Sequence, residues 1–138
     1  RPHNVYGPRM SHSHVIPQLI KKINQCPDVL PVNNAHFTRS FCFIQDALDQ
    51  MLALSDVCHN EIINVGDDQE EIAIGQLAHL IAQQMNKSIT IQNENTASDP
   101  FKRRCPDMTK SKSLVGARAR TSLVEGLAVT IAWYQENC

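Results

Sequence analysis

Glycine is scarce in this chain: only Gly7, Gly66, Gly75, Gly116 and Gly126 occur. No two of them have the spacing of the Gly-rich turn that lets a backbone approach a dinucleotide's phosphates at a helix N-terminus, so such a cradle is excluded from these residues. No apolar run approaches the roughly 18 residues of a membrane-spanning helix, and no secretory signal is present. A cytoplasmic protein with no membrane partner is expected. Cys-x-x-Cys is missing as well, and the five cysteines, Cys26, Cys42, Cys58, Cys105 and Cys138, are scattered and odd in number. That pattern implies reduced thiols, not a disulfide framework. Charge of one sign is not in excess either: 13 basic and 14 acidic side chains leave a formal net charge of -1, which points to no nucleic-acid partner. What remains is a balanced chain of 138 residues, 42% of them apolar, expected to form a single domain over residues 1–138.

Local patterns give an alternation of helices and strands. Pro8 to His14 reads as a loop, and Val15, Leu19, Ile20 and Ile23 then recur at helical spacing, predicting a helix over Val15 to Gln25 with Pro17 tolerated in its first turn. Cys26-Pro27-Asp28 breaks it, and Leu30-Pro31-Val32 is a short extended piece. Ser40 to Ile44 predicts a strand, with Asp46 capping a following helix that contains Ala47, Leu48, Met51, Leu52 and Leu54. Asp56 to Asn60 reads as a loop. Glu61 to Val65, apolar on both faces, predicts a strand buried in a parallel sheet, turned by Gly66-Asp67-Asp68. Ile74, Leu77, Ile81 and Met85 mark a helix that Asn86 ends in the left-handed conformation. Ile89 to Gln92 predicts a short strand and Asn93 to Ser98 a loop. A helix from Thr109 to Val115 stops at Gly116, and Ser122-x-x-Glu125 forms a capping box for a last helix whose Leu127, Ile131 and Tyr134 face inward.

Several short motifs follow one another along the chain: Arg1-x-x-Asn4-x-Tyr6-Gly7-Pro8, His14-Val15-Ile16-Pro17, Thr38-Arg39-Ser40-Phe41 leading to Asp46, Asn64-Val65-Gly66, Asp99-Pro100, Arg104-Cys105-Pro106-Asp107 and Glu125-Gly126-Leu127. In this order they resemble the nucleotide-sugar epimerases and dehydratases, the extended branch of the short-chain dehydrogenase/reductase superfamily, over essentially the whole chain. The resemblance implies an α/β fold, the C-terminal substrate-binding lobe of such an enzyme, lacking most of the Rossmann sheet. It implies a parent that epimerises, dehydrates or decarboxylates a nucleotide-linked sugar with NAD. The family's catalytic Tyr-x-x-x-Lys is absent, since Tyr6 is followed four residues on by Met10 and Tyr134 by Cys138. No catalytic residue and no bound NAD are therefore expected for the isolated chain. The expected partners are a nucleotide-diphosphate sugar and a missing N-terminal Rossmann part, and the start at Arg1 instead of Met suits a fragment or processed product. An unpaired Glu61 to Val65 strand would favour self-association. The alternative is a catalytically inactive nucleotide-sugar-binding or protein-interaction module.

The candidate site residues are read from chemistry and resemblance together. A guanidinium fork matches phosphate oxygens in bidentate fashion better than an ammonium does, which favours Arg39 and Arg104 over Lys102 as diphosphate ligands. In similar enzymes the matching arginines clamp that diphosphate; as surface residues they would be solvated, or Arg104 would pair with Asp99 or Asp107. The Asn4 amide can both donate to and accept from a substrate, as the resemblance implies, or open the loop as an Asx-turn. Val15 and Ile16 start a helix whose N–H groups could meet phosphate or base, or else they serve the core. Tyr6, Gly7 and Pro8 are the residues expected to shape the loop near the cofactor's nicotinamide. Two departures from the family pattern stand out. Asn33-Asn34-Ala35-His36-Phe37 replaces an aromatic-Gly-x-Gly stretch that touches the base, and the loop from Asp99 to Arg104 is one residue longer, which makes Arg103 a rival to Arg104. His12-x-His14 lacks a third ligand and Cys58-His59 an orienting acid, so neither a metal site nor a nucleophile is expected there.

Overall fold

The structure, a computed structural model, describes residues 1–25, 28–95 and 101–137. The helix break at Cys26-Pro27, the Asp99-Pro100 motif, the end of the predicted loop at Ser98 and Cys138 lie outside the described residues. In chain order the elements are β1 (Val5–Tyr6), α1 (Val15–Gln25), β2 (Val29–Asn33), β3 (Thr38–Ser40), β4 (Cys42–Phe43), α2 (Ile44–Ser55), β5 (Glu71–Ala73), α3 (Ile74–Gln84), β6 (Thr90–Glu94), β7 (Arg103–Arg104), α4 (Thr109–Val115) and α5 (Leu123–Asn137). This mixed α/β arrangement keeps its strands short and spread over small sheets. None of the described helices is long and apolar enough to cross a membrane.

Three amphipathic helices build the main core. α1 buries Ile16, Leu19, Ile20 and Ile23; α3 buries Leu77, Ala78 and Ile81; α5 buries Leu127, Ile131 and Tyr134. Leu30 and Val32 of β2 close the same cluster, and each such side chain contributes about 1.5–3 kcal/mol on burial. The helix ends follow local chemistry. Asn86 adopts a φ of 54° just past α3, a conformation that asparagine tolerates because its amide can bond locally. At α5 the Ser122 N–H donates to Glu125 Oε2 at 2.9 Å and the Glu125 N–H donates to Ser122 Oγ at 3.3 Å, a reciprocal cap. A smaller cluster of Cys42, Ala47, Leu54, Ile63 and Val65 lies under α2.

The strands depart from the sequence expectation in three places. The stretch Ser40 to Ile44 is not one strand: β3 and β4 are separated at Phe41, join different sheets, and Ile44 already opens α2. Glu61 to Val65 is not a buried strand. Val65 bridges only to Pro2, with the His3 N–H donating to the Val65 carbonyl and the Val65 N–H to the Arg1 carbonyl, both at 2.9 Å. Among the described residues no strand covers its other side, so Ile63 and Val65 are buried while Ile62 stays 65% exposed. β6 continues through Asn93 and Glu94, because β2 pairs with it in parallel over Val29↔Thr90 to Asn33↔Glu94.

Asp46 also has a different part from the cap expected of it. It lies in the first turn of α2, whose N-cap is Phe43, and its buried carboxylate accepts the Thr121 N–H at 3.0 Å. Glu70 accepts the Leu123 N–H at 2.6 Å. With Glu125 on Ser122, three consecutive N–H groups at the start of α5 each donate to a carboxylate, which satisfies donors that a helix end leaves open and complements its dipole.

Candidate anion-binding face

The three-stranded sheet runs β5-β3-β7, with β3 antiparallel to β5 and parallel to β7. Thr38 is the register partner of Arg103, and Arg39 of Arg104. Side chains alternate along a strand while ladder partners share a face, so Thr38 and Arg103 project on one side and Arg39 and Arg104 on the other. On the first side Glu71 collects the polar groups. It accepts the Thr38 hydroxyl, and its two oxygens take the Arg103 Nε at 3.0 Å each and Nη2 at 2.7 Å. The Thr38 hydroxyl foremost, then Arg103, hold the Glu71 carboxyl below its ordinary range.

The opposite side holds two guanidiniums on neighbouring strands. Arg39 Nη1 donates to the Thr38 carbonyl at 2.7 Å and the Lys102 carbonyl at 3.3 Å, and Nη2 donates to the Phe101 carbonyl at 3.2 Å. Its Cζ lies 5.9 Å from the centre of the Phe37 ring, while the Arg104 Cζ lies 5.5 Å from that of Phe101. Lys102 is exposed, meeting Arg39 through its carbonyl.

Asn4 links the two strands that carry this pair. Its backbone takes a φ of 42°, and its Nδ2 donates to the Ser40 carbonyl at 2.8 Å and the Arg104 carbonyl at 3.4 Å, tying the ends of β3 and β7 together. Val15 is half-buried at the first turn of α1 and Ile16 is fully buried, so only their backbone can offer anything to a ligand. Tyr6 is 1% exposed, edge-on to Phe41 and Phe43, with its hydroxyl donating to the Leu123 carbonyl at 3.4 Å. Burial chiefly, with nearby carboxylates, pushes its pKa well above the ordinary phenol value, so it is a poor proton carrier. A Cβ on Gly7 would stand 2.6 Å from Ile44 Cγ2, and the half-buried Pro8 follows it into the loop. In the Asn33 to Phe37 stretch Asn34 takes the positive φ of 49° that a glycine would otherwise supply, and the Phe37 N–H closes the turn on the Asn34 carbonyl at 2.8 Å.

His12 packs edge-on against Tyr134, 5.4 Å between ring centres, and among the described residues no cluster of three metal-ligating side chains occurs. Cys42 is buried, and burial chiefly, with Asp46 and Asp67, pushes its thiol up to about 12, which leaves it unreactive. Two features escaped the sequence reading. Glu71 was not singled out, although a Glu at the centre of a Thr-Glu-Arg set is visible only once the strands are paired. Phe101 was passed over because its ring contact with Arg104, three residues on, follows no periodic face.

Comparison with known proteins bears on the family and the fold. Residues 1–66 match the NAD dependent epimerase/dehydratase family. The chain is 31% identical to the UDP-N-acetyl-alpha-D-glucosaminuronate decarboxylase of Bacillus cytotoxicus over 96% of its own length and 44% of the relative's. It is 33% identical to UDP-glucuronic acid decarboxylase 5 of Arabidopsis thaliana, over 90% of its own length and 37% of that protein's. The chain thus spans less than half the length of the curated relatives it matches. Its fold superposes on UDP-glucuronic acid 4-epimerase from Bacillus cereus, solved with UDP-glucuronic acid and NAD, with a TM-score of 0.86 at 24% identity, covering 99% of this chain and 44% of that one. By the family model over residues 1–66 and by the matched relatives the chain is similar to the NAD dependent epimerase/dehydratase family, and its fold is that of the solved epimerase.

Proposed function

We propose that residues 1–138 act as the substrate-binding lobe of an NAD-dependent enzyme that epimerises, dehydrates or decarboxylates a nucleotide sugar, with Arg39 and Arg104 gripping the substrate's diphosphate. The observation that carries this reading is the register of β3 and β7, which puts Arg39 and Arg104 at partner positions on one face. A diphosphate suits two such side chains in charge, since each fork can take two phosphate oxygens. Asn4, bonded to the carbonyls of Ser40 and Arg104, fixes the distance between the two strands. The first-turn N–H groups of Val15 and Ile16 supply further donors for the nucleotide end. Tyr6, Gly7 and Pro8 set the course of the loop toward the cofactor by packing, Tyr6 against the start of α5 and Gly7 against Ile44. Uridine diphosphate is the nucleotide that the relatives suggest, because both decarboxylases act on UDP-linked sugars by name. These residues include no Gly-rich phosphate cradle and no Tyr-x-x-x-Lys, so their part is to bind and position and not to carry the redox chemistry.

Titration of UDP-glucuronic acid into the chain tests the reading. Arg39→Ala and Arg104→Ala should each weaken binding by roughly ten- to a hundredfold, the equivalent of about 1.5–3 kcal/mol for a charged hydrogen bond. Lysine at either position should recover part of the loss, keeping charge without the fork. Lys102→Ala should change little. Both alanine variants binding as tightly as the unmodified chain, with unchanged circular dichroism, would show that the diphosphate is held elsewhere.

A further inference from the structure

Phe101 is the only Phe, Tyr or Trp among the described residues that is exposed, at 60%; Phe37, Phe41, Tyr6 and Tyr134 are buried, and Phe43 and Trp133 are partly so. It is also joined to both arginines of the anion-binding face. Its carbonyl accepts from Arg39 Nη2 at 3.2 Å, and its ring lies under the Arg104 guanidinium, 5.5 Å from Cζ to the ring centre. A large apolar ring left in water beside two cations has a flat face to offer to whatever the cations hold. The stretch from Asn33 to Phe37 offers little competition for that part, since it has no aromatic-Gly-x-Gly and its Phe37 ring is buried under Arg39.

We infer that Phe101 stacks on the nucleobase of the ligand whose diphosphate is held by Arg39 and Arg104, and so selects a nucleotide over a bare diphosphate. This rests on the diphosphate reading given above. Base–aromatic stacking depends on the π-face and tolerates any base, so Phe101 discriminates between nucleotide and non-nucleotide more than between one base and another.

The test compares uridine diphosphate with inorganic pyrophosphate on the 138-residue chain, for the unmodified protein and for Phe101→Leu, Phe101→Ala and Phe101→Trp. Leucine keeps apolar bulk but has no π-face. For uridine diphosphate, Phe101→Leu and Phe101→Ala should raise Kd about tenfold, and Phe101→Trp should hold or improve it. For pyrophosphate all three should leave Kd unchanged. Equal losses for both ligands would make Phe101 a support for the arginines alone and overturn the inference, as would no loss for either. A loss seen with UDP-glucuronic acid but not with uridine diphosphate would place the ring on the sugar and overturn it too. The two readings fail separately: arginine variants that weaken both ligands, with Phe101 variants that weaken neither, would sink the stacking and leave the diphosphate grip standing. An unmodified chain that binds neither ligand would sink both.

Discussion

The carboxylate of Asp46, in the first turn of α2, accepts the backbone N–H of Thr121, 75 residues further along the chain. The contact is partly buried, on a buried Asp46, and joins α2 to the segment that enters α5. Asp46→Ala should leave a partly buried N–H without its acceptor and destabilise the fold by about 1 kcal/mol. Chemical denaturation reads this directly, and a variant as stable as the parent would show that water replaces the carboxylate at no cost. Asp46→Asn, which keeps an oxygen acceptor, should lose less.

Tyr6 and Gly126 depend on each other in a similar way. A Cβ built on Gly126 would stand 2.1 Å from the Tyr6 hydroxyl and 2.8 Å from its ring carbon, so α5 can cross β1 this closely only with glycine there. Gly126→Ala should therefore cost roughly 1–3 kcal/mol by overpacking. Combining it with Tyr6→Phe removes the nearest atom and should recover part of the loss, giving a non-additive double-mutant cycle. Strict additivity in thermal melts would argue that the helix shifts instead.

These two contacts show where sequence reading stops. α1, α3, α4 and α5 follow from apolar spacing and caps within a dozen residues, and their observed bounds fall on those signals. Strand pairing joins residues far apart in the chain, so nothing local told that Ser40 to Ile44 divides between two sheets. The candidate anion-binding face has the same limit. A loop one residue longer made Arg103 and Arg104 rivals, and moving by one residue along a strand changes the face. The pairing of Arg39 with Arg104, and of Glu71 with Arg103, becomes visible only with the register in hand.

Acid should weaken the fold through its depressed carboxyls. Burial raises the pKa of Asp68, but the Lys112 ammonium, 2.6 Å from Oδ2, and the Gln69 amide outweigh it, and the net shift is downward. Asp107, bonded to Thr109, and Glu125, bonded to Ser122, are also lowered. A carboxyl depressed in the folded state contributes stability that is present above its unfolded pKa and lost as pH falls through the folded one. Stability should hence drop below about pH 4, the ordinary range for these groups. Asp67 runs the other way, its pKa raised chiefly by burial, so it opposes the fold as pH rises through its titration. Asp68→Asn should flatten the acid limb of a stability-against-pH curve, whereas Asp67→Asn should not. An acid limb of the same slope in both would remove the Lys112 pair from the account.

The surface of α2 predicts association. Its inward side carries Asp46, Ala47, Gln50 and Leu54, with Gln50 clasping both the N–H and the carbonyl of Gly66 at 3.0 and 2.9 Å. Its outward side carries Ile44, Leu48, Met51 and Leu52, at the i, i+4, i+7 and i+8 spacing of a helix stripe, and Leu52 is 68% exposed. The helix thus turns its more apolar side to water. Ile62 adds to the exposed apolar surface, on a segment whose backbone pairs only with residues 1–3 among the described residues. Contiguous apolar surface of this kind lowers its free energy by being covered. The isolated chain should self-associate at micromolar concentration and bind a hydrophobic dye. Leu52→Glu together with Ile62→Glu should shift sedimentation toward monomer and reduce dye binding, while the melt of the fold stays within about 0.5 kcal/mol, as for other exposed substitutions. A chain that sediments as a monomer and leaves the dye dark before any substitution would mean that the stripe is too small to bring copies together.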